Sequence, residues 1–186
     1  MHSATRPTRI FYNEQDGTVR VFLDDTSTLR LSASGLVQYA STDGSATVSA
    51  YDESDITDAA ALDAQLDCAR LILDAAQRAG DTDTHASLYA VERSEEQTTL
   101  IFLQMYSGVP VLGDADFATF VFDGSALRTA TIRLQKFQPT GGKRTVMPAK
   151  QAAAGASGAE RGLMAAYRAQ DGQYVPSRFY LKNAAE

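Results

Sequence analysis

The stretch Phe102–Gly113, F-L-Q-M-Y-S-G-V-P-V-L-G, constrains the fold more than any other part of the chain. Apolar runs stand on either side of Ser107-Gly108, the spacing of a two-residue hairpin, so the backbone must double back here. Gly108 permits the positive φ that such a turn demands. Pro110 has no N–H to give to a ladder, which places the start of its strand at an edge or a bulge. Gln104 and Tyr106 fall on one face, where their polar tips can tie the hairpin to its neighbours. None of these groups is a nucleophile or a base. The expected chemistry is that of a scaffold or of a surface for a partner.

The chain before this stretch supports it. Residues 1–7 read as a polar lead-in. Residues 8–50 alternate apolar with polar in short runs, Thr18–Leu23, Leu29–Ser32 and Gly35–Ala40 among them. Asp16-Gly17, Asp24–Ser27 and Asp43-Gly44 punctuate these runs, and four short antiparallel strands are expected. Between Tyr51 and Gly80 the period changes. Leu62, Leu66, Ala69, Leu73 and Ala76 recur at intervals of four and three, one stripe of an amphipathic helix about six turns long. Ser54 or Asp55 can cap it, Asp58 suits its N-terminus, and Gln65 lies off the stripe with the acids.

The period then returns to two. His85–Arg93, Gln97–Tyr106, Val109–Phe122 and Ala126–Phe137 read as strands, with Gly113 marking a bulge or bend in the long third one. Phe120 and Phe122 share one face of it, and Phe117, Thr119 and Val121 the other. Pro148–Ala154 reads as a short helix, or as part of a flexible link through the Ala/Gly/Ser-rich residues 152–159. Residues 162–181 close as a hairpin around Asp171-Gly172, its second strand held at an edge by Pro176. The expected fold is α+β: a curved antiparallel sheet packed on one long helix, with a strand-rich N-terminal segment. Residues 51–186 form the helix-plus-sheet unit, continuous with 8–50.

A net charge of −6 and the lack of any Lys/Arg cluster argue against a nucleic-acid surface. One cysteine, Cys68, allows no internal disulfide and reads as a small core residue on the helix. With only His2 and His85 beside it, no metal-ligand spacing can be assembled, and no cofactor is expected. His85 reads as a strand-start residue rather than a catalytic one. Asp114 and Asp116 share a face at period two and read as a solvated strand face rather than an acid pair. Gly141-Gly142-Lys143 lacks the rest of a phosphate loop. No apolar run approaches the roughly 20 residues of a membrane span.

The pattern Q-x-Y-x-G-x-P-V-x-G, carried by Gln104, Tyr106, Gly108, Pro110, Val111 and Gly113, is followed by Asp123-Gly124 and the Ala-rich Val146–Ala153. In this it resembles YycH/YycI-type envelope proteins, regulators of a cell-wall sensor histidine kinase in Gram-positive bacteria. It also resembles the PepSY/FTP-type modules that precede secreted metallopeptidases. The first resemblance implies a non-enzymatic, extracytoplasmic domain, anchored upstream by a membrane helix. It would act by contact with the kinase or its companion regulator. The second implies an inhibitor or chaperone of a peptidase.

Overall fold

The computed structural model describes residues 9–13, 19–23, 26–42, 58–77, 84–94, 97–113, 115–141, 145–154 and 163–180. Its backbone follows from where the side-chain period changes. Arg9–Asn13 (β1), Val19–Leu23 (β2), Ser27–Leu31 (β3) and Leu36–Ser41 (β4) form the expected antiparallel meander. Asp58–Gln77 (α1) is the helix. The capping residues expected at 54–55 lie outside the described residues, as do the lead-in 1–7 and the Gly/Ser stretch after residue 154.

Thr84–Arg93 (β5) and Gln97–Tyr106 (β6) pair antiparallel from Thr84 beside Tyr106 to Arg93 beside Thr98, with a register shift at Tyr89. Val109–Leu112 (β7), Ala118–Asp123 (β8) and Ala126–Arg133 (β9) follow. After the six-residue helix Ala149–Ala154 (α2) come Leu163–Gln170 (β10) and Gln173–Tyr180 (β11).

The register makes β6 the axis of the molecule. One of its edges is taken by β5. The other is shared end to end, because residues 97–102 pair with β8 and residues 104–106 pair with β7. From β8 the sheet runs through β9, β4, β3 and β2 to β1, and from β7 it runs through β10 to β11. The result is one open sheet with a fork at the middle of β6. The sequence-based strand Val109–Phe122 is thus two strands laid along one line, β7 ending at Leu112 and β8 beginning at Ala118. Gly113, the expected bulge or bend, stands immediately after the end of β7. A second correction concerns direction: β7 and β10 run parallel, with Tyr167 beside Val111 and Arg168 beside Leu112, so the sheet is mixed rather than antiparallel. A local hairpin pattern cannot announce a pairing between segments more than 50 residues apart.

Helix α1 lies on one face of the sheet. Ala69 and Leu73 are buried against Leu100, Phe102, Phe120, Phe122 and Ile132, with Leu62, Leu66 and Ala76 at the margin. Phe102 and Phe120 meet edge to face at 5.8 Å. The alternation in β8 is clean: Ala118, Phe120 and Phe122 are buried and Thr119, Val121 and Asp123 only partly so. Phe117 departs from the expected parity. It precedes the strand, and the turn of the backbone there carries it into the helix-side core. Gln65 is the other correction. Its place off the apolar stripe suggests a surface residue, yet it is 4 % exposed, and its Nε2 donates to the Gly124 carbonyl at 2.8 Å. One amide thereby ties the helix to the β8–β9 turn.

Candidate functional site

The β6–β7 turn has the geometry its sequence requires. Ser107 and Gly108 have φ of 48° and 76°, positive at both central positions, as a type I′ turn needs. Tyr106 then pairs with Val109, Met105 with Pro110 and Gln104 with Val111. In a two-residue hairpin the pair flanking the turn exchanges the hydrogen bonds, so Pro110 sits in the non-bonded pair with its nitrogen aimed away from β6. The β10 pairing begins one residue later, at Val111, and the missing N–H costs neither ladder a bond.

Gln104, Tyr106 and Val111 share the face on which α1 lies farther along β6. There they meet the chain that leaves β9. The alternating pattern carries β9 to Phe137, but the strand ends at Arg133, and 134–140 continues without a ladder partner. Three contacts fasten its beginning. Leu134 N donates to Gly35 O at 2.9 Å. Gln104 Nε2, on a side chain 5 % exposed, donates to Gln135 O at 3.0 Å. Tyr174 Oη donates to Gln135 Oε1 at 2.9 Å.

This segment and the β7–β10–β11 branch diverge and leave a cleft of ≈ 790 Å³ between them. A chain of rings lines it. Tyr106 meets Tyr167 at 6.0 Å and Phe137 at 5.7 Å, and Phe137 meets Tyr174 at 5.2 Å, with interplanar angles from 66° to 85°. Pro139 and Pro176 add apolar wall, and Gln135, Gln138 and Gln173 supply amides. Lys136 is the one charged residue among the described lining. A smaller cavity of ≈ 210 Å³ adjoins it through Val111, Gln135 and Tyr174, and reaches Gln104 and Gly113. A Cβ placed on Gly113 would stand 3.4 Å from Tyr174 Oη, so the glycine lets that hydroxyl approach.

Four of the six motif residues therefore face these cavities: Tyr106 and Val111 the larger, Gln104, Val111 and Gly113 the smaller. Gly108 stands exposed at the turn, and Pro110 is half-buried on the opposite face of β7. Phe137, Tyr167 and Tyr174 read from the sequence only as strand residues. The register around Asp171-Gly172 does set Tyr167 opposite Pro176 and Tyr174 opposite Ala169, on one face, a signal readable from the hairpin alone. Their meeting with Tyr106 depends on the parallel pairing.

The other candidates lie elsewhere. His85 is exposed on β5 opposite Met105. Asp116 is exposed and precedes β8 rather than lying on a strand, and Asp114 lies outside the described residues. Cys68 is half-buried on α1 against the core, and that burial pushes its thiol pKa up. Among the described residues no group of three His, Cys, Asp or Glu side chains is placed to hold a metal ion. No helix among them is long and apolar enough to cross a membrane. No family model, curated protein or solved structure matches this chain.

Proposed function

We propose that this chain is a non-enzymatic regulatory domain that acts by protein–protein contact. Its place is outside the cytoplasm, beside a cell-wall sensor histidine kinase or a companion regulator. The observation that carries the contact reading is the cleft at the fork of the sheet. Its wall is built by the hairpin that bears the Q-x-Y-x-G-x-P-V-x-G pattern, and its lining of rings and amide tips is the chemistry of recognition. The likeness of that pattern to YycH/YycI-type regulators supports the extracytoplasmic setting and the kind of partner.

Affinity capture from envelope extract of the source organism tests this, with the chain as bait and mass spectrometry as readout. Recovery of a sensor kinase or its companion regulator is the expected result. Recovery of a metallopeptidase moves the assignment to a PepSY/FTP-like inhibitor or chaperone. Recovery of neither removes the regulatory reading.

A further inference from the structure

Resting on the contact reading, we infer that the cleft at the fork receives a proline-bearing segment of the partner, in polyproline II conformation, with an acidic residue beside the prolines. Three observations carry this. The first is the shape of the aromatic wall. All three ring pairs stand at 66° or more to one another. Rings so arranged form ridges and slots rather than a flat platform. A planar ligand needs an open ring face, whereas a pyrrolidine ring is compact enough to enter a slot. A polyproline II segment presents such rings on a backbone whose conformation is already fixed, so little entropy is lost on docking.

The second is the balance of donors and acceptors. Proline has no N–H, and the carbonyls of a polyproline II helix have no internal partner, so this ligand asks mainly for donors. The cleft offers them. The Tyr106 and Tyr167 hydroxyls have no hydrogen-bond partner among the described residues, and the amides of Gln138 and Gln173 stand exposed at the rim. The third is charge. In a chain of net charge −6, the described lining holds Lys136 and no carboxylate. Lys136 is exposed, which suits a pairing at the rim rather than within the slots.

Fluorescence polarisation tests the inference, using the full 186-residue chain and fluorescein-labelled dodecapeptides. One peptide carries a proline run flanked by glutamate, a second has serine in place of each proline, and a third has lysine in place of glutamate. The first is expected to bind saturably with Kd of roughly 10–100 μM. The serine peptide is expected to bind about ten-fold more weakly. Lys136→Glu is expected to weaken the first peptide about five-fold and to favour the lysine peptide, with the melting temperature unchanged. Tyr167→Phe, which keeps the ring, is expected to weaken binding by a smaller factor.

No saturable binding overturns the inference, as does equal binding of the serine peptide or indifference to Lys136→Glu. Binding of an oligosaccharide in place of all three peptides overturns it as well. Capture of the same partner by wild type and by Lys136→Glu, without peptide binding, overturns the cleft assignment alone. Loss of both peptide binding and partner capture overturns the contact reading too.

Discussion

Gln104 Nε2 donates to Gln135 O at 3.0 Å, and this bond joins the β6–β7 hairpin to the segment that follows β9. Tyr174 Oη donates to Oε1 of the same residue at 2.9 Å, so Gln135 is held from both the β6–β7 hairpin and β11. A buried amide that satisfies a backbone carbonyl costs stability to remove, because the bond is lost and an apolar replacement offers the carbonyl no partner. Gln104→Leu is therefore expected to cost about 1–3 kcal/mol in urea denaturation. The same variant should speed amide hydrogen exchange in residues 134–137 while leaving β8 and β9 protected. Uniform exchange throughout the sheet, or no loss of stability, would show that the bond does not hold this segment.

Two glycines with positive φ separate backbone strain from steric conflict. Gly35 has φ 84° and Gly108 has φ 76°. A Cβ at Gly108 meets nothing within 4 Å, but a Cβ at Gly35 would collide with the Leu134 carbonyl oxygen. Gly108→Val should thus cost about 1–3 kcal/mol through conformation alone. Gly35→Ala carries the same strain plus the displacement of the Leu134 carbonyl, in a residue whose N–H donates to Gly35 O, and about 2–4 kcal/mol is expected. Thermal unfolding of both variants decides it. If Gly35→Ala is no worse than Gly108→Val, the 134–140 segment yields more readily than the contacts at its start imply.

What the sequence made legible divides along the same line. Period and turn chemistry place α1, β5, β6 and the last hairpin close to their true bounds, because those signals act over a few residues. Gln104 and Tyr106 sharing a face follows from period two, and the bond to Gln135 is the kind of tie expected of Gln104. The fork was not legible. Whether Val109–Phe122 is one strand or two depends on β10 arriving beside Val111, and whether β9 ends at Arg133 depends on Gly35 and Gln104 capturing the chain beyond it. Gln65 shows the same limit at one residue: its polarity argues for solvent, and the Gly124 carbonyl that draws it inward lies 59 positions away.

The β6–β7 turn is good but not optimal for its type. Ser107 occupies a left-handed position, φ 48°, that asparagine tolerates better because its short amide can bond locally. Ser107→Asn is expected to raise stability by about 0.5 kcal/mol, read as a higher urea midpoint with an unchanged m-value. The side chain is exposed, so no packing change competes with the backbone effect. A lower midpoint would mean that the Ser107 hydroxyl makes a contribution the turn geometry does not explain.

Cys68 gives the fold a pH dependence whose direction follows from burial. Packed against the core on α1, its thiol is pushed above the ordinary 9.0 because the thiolate would lose solvation there. The unfolded chain releases that proton near the ordinary value, and the folded chain holds it to higher pH. Its contribution to stability is therefore whole below about pH 9 and is lost as pH rises through the raised folded value. The stability difference between wild type and Cys68→Ala should be constant from pH 7 to 8. Above pH 9 it should move in favour of the alanine variant. Iodoacetamide at pH 8.5 should alkylate the native thiol more slowly than the same thiol in urea. Equal rates, or a pH-independent difference between the two proteins, would mean that Cys68 is solvated in the native state and that α1 sits less tightly on the sheet at its centre.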